Sequence, residues 1–220
     1  MIELTTTRYK KSIKALDDYN LRVLKIPTNK KIAAKVTKGK FKGYAIRTLT
    51  LTERATCPRS CFHWSTCYGN NMPFAHRLDH TNEALLIHKI NQDLLAHDWD
   101  RSGMLVRLHV LGDFFSPAYV QFWKSALDAF PGLAAWGYTA RQPGEPIGEA
   151  IRKVRDTYPD RFAIRWSNQP GLAYSANSLD MPNLKPDVVP CPEQTGKTKG
   201  CGHCTLCWDQ PERQIGFATH

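Results

Sequence analysis

Residues 104–139 read MLVRLHVLGDFFSPAYVQFWKSALDAFPGLAAWGYT, and their patterning decides the fold class. Met104–Leu111 is apolar except for Arg107 and His109, which predicts a strand ending at Gly112-Asp113. Pro117 suits the first turn of a helix, with Ser116 or Asp113 as candidate N-cap. Val120, Trp123, Leu127 and Phe130 then recur at helical spacing. Leu133–Thr139 reads as a strand again. Strand, helix and strand in this order form a βαβ unit, whose strands lie parallel.

The alternation extends in both directions. Upstream, Tyr44–Leu51 alternates and is rich in β-formers, and His76–Trp99 reads as a long amphipathic helix on Ile87, Ile90 and Leu94. Downstream, Ile147, Ile151, Val154 and Tyr158 mark a helix stopped by Pro159. Phe162–Ser167 reads as a fourth strand and Val188-Val189 as a short fifth. Four or five units in roughly 150 residues predict an α/β fold, a partial or TIM-like (β/α) barrel, because a full eight-unit barrel takes about 250 residues. An open doubly wound sheet is the alternative. Either form places functional groups at the carboxyl ends of the strands. Cys57–Cys67, Gly112-Asp113, Tyr138–Arg141, Ser167-Asn168 and Cys191 fall there. The expected organisation is a basic N-terminal segment 1–43, a barrel-like domain 44–190 and a cysteine-rich tail 191–220 packed on it.

With 220 residues, 42% hydrophobic and 23% charged, the chain supports a packed core and is not globally disordered. No apolar run approaches the roughly 18 residues of a membrane span, and MIELTTTRYKKS lacks a secretory apolar core. A cytoplasmic protein without a membrane partner is expected. The net charge of +10 is unevenly placed: residues 1–50 hold 13 Lys/Arg against Glu3, Asp17 and Asp18, and the other 170 residues hold 17 of each sign. Such a segment suits the phosphate backbone of nucleic acid, and equally a solvated basic surface. Leu21, Val23, Leu24, Ile26, Ile32 and Val36 interleave with its lysines, so short strands or a hairpin are expected there.

Seven cysteines with no export signal point to metal or redox chemistry rather than a disulfide framework. Cys57, Cys61 and Cys67 form C-x3-C-x5-C; Cys191, Cys201, Cys204 and Cys207 form C-x9-C-x2-C-x2-C. Thiolates select zinc, Cu(I) or iron–sulfur clusters. The compact C-x2-C-x2-C run favours an iron–sulfur cluster, whereas zinc more often takes two separated C-x2-C knuckles. Gly200 and Gly202 permit the tight turns that run needs. Three thiolates in the first group leave one metal position open, with His63 as an alternative fourth ligand. One shared cluster or two separate ones both fit the spacing.

Among other polar residues, Gly112 lets backbone approach a ligand, and Asp113 is a candidate to hold an amine or water. Arg141 is a candidate carboxylate or phosphate clamp. His109 reads as a core histidine, Trp166, Ser167 and Asn168 as a weak pocket signal, and Trp208 as a shield beside Cys207.

The blocks TCPRSCFHWSTCYG, RLHVLGDFFSPAYVQFW, AAWGYTAR and CPEQTGKTKGCGHCTLCW, in that order over residues 44–208, resemble the phage and prophage gene product eighty-eight family. The resemblance implies a barrel-like fold, cysteines that bind an iron–sulfur cluster, and residence in the cytoplasm of an infected or lysogenic bacterial host. More distantly, a cysteine loop after the first strand and Gly-Asp after the second resemble the radical S-adenosylmethionine enzymes. That likeness implies a [4Fe–4S] cluster on Cys57, Cys61 and Cys67, S-adenosylmethionine as cofactor near Gly112-Asp113, and an electron donor as partner. The usual spacing in those enzymes is C-x3-C-x2-C, whereas five residues precede Cys67 here. Two functions are therefore expected: an iron–sulfur protein acting as a redox or radical-type enzyme, or a nucleic-acid-binding protein with a structural zinc or iron–sulfur site.

Overall fold

The computed structural model describes residues 4–179 and 187–218. Parts of three expected segments, residues 1–3, 180–186 and 219–220, lie outside the described residues. In chain order the elements are β1 (Ile13–Lys14), β2 (Ala45–Thr48), β3 (Arg77–Leu78), α1 (Glu83–Leu95), β4 (Met104–Leu108), α2 (Pro117–Ala129), β5 (Leu133–Thr139) and α3 (Pro146–Thr157). They continue with β6 (Phe162–Ser167), β7 (Ser175–Leu179), β8 (Val188–Pro190), α4 (Cys201–Cys204), α5 (Leu206–Asp209) and β9 (Gln214–Ala218).

The fold is mixed α/β. Seven strands form one parallel sheet in the order β2-β4-β5-β6-β7-β9-β8, and β1 pairs with β3 separately. From β2 to β6 each strand lies beside its predecessor in the sheet, as βαβ units predict. The sheet is open: among the described residues no pairing joins its edge strands β2 and β8, so no closed barrel forms.

Strand alternation sends side chains to two different cores. Met104, Val106, Leu108, Leu133, Ala135, Phe162 and Ile164 meet Leu86, Ile90, Tyr119, Trp123, Leu127 and Ile151 of the helices. Ile46, Leu105, Ala134, Trp136 and Ala163 face the other way. That second face is covered by the chain's two ends: Ile32, Val36 and Phe41 from the basic segment, and Trp208 from the tail. Upstream, Leu16, Tyr19, Val23 and Leu24 join the helix-side core. Antiparallel bridges Lys25–Thr48 and Lys35–Ala45 hold this segment against β2.

Several boundaries differ from the sequence pattern. The expected helix over 76–99 starts only at Glu83 and ends at Leu95. Arg77-Leu78 is extended against β1, and Asn82 caps the helix by accepting from the Leu85 amide. Ser116, not Asp113, caps α2 through the Tyr119 amide at 2.9 Å. Strands β7 and β9 have no counterpart in the sequence reading. No helix among the described residues is long and apolar enough to cross a membrane.

Candidate metal centres and the residues that position them

The first cysteine group lies on the loop after β2, at the carboxyl ends of the sheet strands. Thr56, immediately before Cys57, is its anchor. The Thr56 hydroxyl donates to the Thr52 carbonyl at 2.9 Å and accepts from the Asp113 amide at 3.1 Å. Gly112 has φ +83°, and a Cβ there would stand 2.6 Å from Thr56 Oγ1 and 2.7 Å from Leu51 Cβ, so this approach requires glycine. Arg141 donates from Nη2 to the Thr56 carbonyl at 2.7 Å and from Nε to the Phe114 carbonyl at 2.8 Å.

Asp113 is buried and accepts from the Phe114 amide, the Thr139 hydroxyl and the Ala140 amide, each at 2.7 Å. Burial pushes its pKa up to about 6 against the pull of these donors and of the Arg141 charge. Gly112, Asp113 and Arg141 thus converge where the sequence placed them, and the partners they show are protein groups that fix the root of the cysteine loop. The loop reaches across the strand ends: His63 Nε2 meets Ser178 Oγ of β7 at 2.6 Å. Asn168 supports this contact by accepting from the Ser178 amide at 2.7 Å. Trp166, by contrast, belongs to the helix-side core.

Burial raises the Cys57 thiol strongly, and the charges of Asp113, Cys61 and Cys67 raise it further. Cys61 and Cys67 are raised chiefly by burial as well, while Arg54 pulls both down. Arg54 was not singled out in the sequence. It is buried with φ +64°, donating to the Trp64 carbonyl at 3.0 Å and to Asn70 Oδ1 at 2.9 Å. Its Nη1 is buried with no hydrogen-bond partner among the described residues. Arg77 likewise has no place in the sequence reading. Fully buried, it donates to Glu53 at 2.6 Å, to Ser12 Oγ at 2.9 Å, and to the carbonyls of Met72, Ala75 and Gly69 at 3.0 Å each. For Arg54 the sequence offers only a charged residue just past an apolar strand, and Arg77 lies in the mostly polar stretch His76–His80 with no local signal at all.

The second group forms where the tail meets the basic segment. The Cys201 amide donates to the Lys31 carbonyl at 2.6 Å, Gly202 to Ile32 at 3.3 Å, and Thr37 to Gly202 at 2.9 Å. A Cβ on Gly202 would stand 2.4 Å from the Lys35 carbonyl oxygen, so the tight approach needs glycine. Cys191 enters from the end of β8, its amide donating to the Gly216 carbonyl of β9 at 2.8 Å. Cys191, Cys201, Cys204 and Cys207 line one small cavity with Leu206, Trp208 and Ile215. Burial pushes Cys201 up to about 12, with the Cys207 charge adding to it, and burial raises Cys191 and Cys204. Tyr138 Oη lies 2.9 Å from Cys207 Sγ, with the Arg107 guanidinium 4.5 Å from the Tyr138 ring centroid. Trp208 is buried and packs its ring against Trp136.

All seven cysteines are free thiols. Among the described residues no three His, Cys, Asp or Glu side chains are grouped so as to hold a metal ion as they stand. His109 is a core residue: it faces Phe114 and Tyr119, with Nε2 2.9 Å from the Tyr119 hydroxyl. Burial, followed by the charge of Arg107, lowers its pKa to about 3.

A family model described as Gene product 88 matches residues 21–145. That span contains the first cysteine group, Asp113 and Arg141, and stops before the second group. The chain is similar to the Gene 88 protein of Mycobacterium phage L5, 26% identical over 144 residues, or 56% of this chain and 57% of that protein. It is similar to the Gene 88 protein of Mycobacterium phage D29, 26% identical over 147 residues, or 59% of this chain and 61% of that protein. The match thus spans about three fifths of each relative's length. No solved structure matches the chain. With more than half of its residues inside the matched span, the chain belongs to the Gene product 88 family.

Proposed function

We propose that this phage-family protein binds iron–sulfur clusters through its two thiol groups. Cys57, Cys61 and Cys67 hold a [4Fe–4S] cluster with one iron left for a non-protein ligand. Cys191, Cys201, Cys204 and Cys207 hold a second, fully protein-ligated one. The observation that carries this reading is the sorting of all seven free thiols into two sets, one at the strand ends and one lining a single cavity.

The chemistry of the thiols supports it. A nucleophilic or disulfide-exchanging cysteine needs a lowered pKa, whereas every resolved shift here is upward and led by burial. Buried thiols of this kind become thiolates when a metal binds their sulfur and their protons are released to water. Sulfur-only donor sets favour iron–sulfur clusters or zinc over harder metals, and the C-x2-C-x2-C run favours the former. Asp113 and Arg141 are positioning residues in this reading, because their hydrogen bonds end on Thr56, which carries Cys57 into place, and Gly112 leaves the room for that approach. The serial order of β2 to β6 is also that of a partial (β/α) barrel.

Anaerobic reconstitution with iron and sulfide tests the proposal. Iron and sulfide in comparable amounts are expected, and Cys57→Ser/Cys61→Ser/Cys67→Ser should lose one share while retaining the other. A colourless protein that takes up only zinc overturns it. An open iron position supplies the chemistry that binds and reductively cleaves S-adenosylmethionine, given a low-potential electron donor. Cleavage that vanishes in Cys61→Ala would place the chain in that reaction class. No cleavage by the fully reconstituted protein would remove the radical reading and leave the cluster sites standing.

A further inference from the structure

The sequence places the excess positive charge on residues 1–50, but the fold redistributes it. Segment 30–38 and segment 197–203 are tied backbone to backbone by the bonds from Cys201 to Lys31, from Gly202 to Ile32 and from Thr37 to Gly202. Lys30, Lys35 and Lys38 therefore share one surface with Lys197 and Lys199, and all five side chains are exposed. None of these five is in an ion pair among the described residues. Lys31 is held by Glu193 at 2.8 Å and Lys40 faces Asp160 at 3.7 Å. Asp209, under Gly39, is a further acidic neighbour. Lys10 and Lys11 stand elsewhere. They precede β1, whose partner β3 bridges to Leu51 beyond the carboxyl end of β2, whereas Lys35 pairs at Ala45, its amino end.

We propose that this composite lysine surface, and not the basic segment as a linear arm, binds the phosphate backbone of a nucleic acid. The proposal is independent of the metal reading. Two features favour nucleic acid over an acidic protein. Protein interfaces are anchored by Trp, Tyr and Arg and are depleted in Lys. Residues 28–43 and 192–206 contain no Arg, Trp or Tyr, and their one Phe, Phe41, is buried. Unpaired lysines instead act as point charges that displace counterions from closely spaced phosphates.

The test is fluorescence anisotropy of the full chain with a labelled 20-nucleotide single strand and its duplex, over a series of salt concentrations. Binding that weakens steeply with salt is expected for at least one probe. Lys35→Gln/Lys38→Gln and Lys197→Gln/Lys199→Gln should each reduce the slope of log K against log salt by about 1.4–1.8, since each lost phosphate contact removes roughly 0.7–0.9. Lys10→Gln/Lys11→Gln, an equal change of charge, should leave the slope unaltered. Circular dichroism confirms that each variant is folded. Absence of binding to either probe at low salt overturns the proposal. So does an equal loss in the Lys10/Lys11 variant, which would restore a linear arm. Equally tight binding to polyglutamate would assign the surface to an acidic protein and also overturn it.

Discussion

His109 and Asp113 are buried in the same wall of the fold and pull its stability in opposite directions with pH. Asp113 holds its proton up to about 6 in the native chain, whereas an unfolded aspartate releases it near 3.9. Between those values the native state binds more protons, so this contribution is present at low pH and is lost as pH rises through about 6. His109 stays neutral down to about 3, while the unfolded imidazole protonates below about 6.5. Its contribution is present above about 6.5 and is lost as pH falls toward 3. Each slope is about 1.4 kcal/mol per pH unit, so the two nearly cancel from pH 4 to 6. Urea unfolding across this range should show His109→Phe losing stability as pH rises relative to the wild type, and Asp113→Asn gaining it. Unchanged slopes in both variants would show that neither group is held as the structure places it.

Among the elements, legibility followed the length and apolarity of each segment. The unit β4–α2–β5 is legible directly, because Met104, Val106 and Leu108, then Val120, Trp123 and Leu127, then Leu133 and Ala135 repeat at the spacings their elements demand and are all buried. Strand β7 is not: Ser175-Ala-Asn-Ser-Leu179 is mostly polar, and its extended form follows from pairing with β6 and β9. The helix starts later than its pattern predicts for the same reason, since the β1–β3 pairing is non-local. The candidate site divides likewise. Cysteine spacing and the strand-end Gly112-Asp113 are local signals, whereas Arg54 and Arg77 act through carbonyls brought near only by the fold. Arg77 joins β3, the residues before β1 and the turn at Gly69. Arg77→Met should therefore destabilise the protein by about 3–5 kcal/mol, because it leaves Glu53 charged and buried without a partner. Arg77→Met/Glu53→Gln should lose less than the sum of the single changes. Thermal or urea unfolding of the three variants reads this directly, and additivity would show that the pair is not coupled.

For the whole molecule, the chain's two ends complete the face of the sheet that the helices leave bare. Composition marks one end as a basic arm and the other as a cysteine-rich tail, and neither carries a hydrophobic period that announces a shared core. In the fold Ile32, Val36 and Phe41 share one cluster with Trp208, and the second thiol group lies beside that junction. Metal held by Cys191, Cys201, Cys204 and Cys207 would thus stabilise the docking of both ends, since ligand binding to the native state alone adds to its stability. The helix-side core contains none of these thiols. Chelating the reconstituted protein should accordingly speed hydrogen exchange at the amides of Thr37, Cys201 and Gly202, which bond across the junction. The amide of Ala135, bonded to the Arg161 carbonyl inside the sheet, should keep its protection, because opening there follows the sheet's own stability. Equal acceleration at all four amides would mean that the metal holds the entire fold. No acceleration at the junction would mean that its apolar packing suffices without metal.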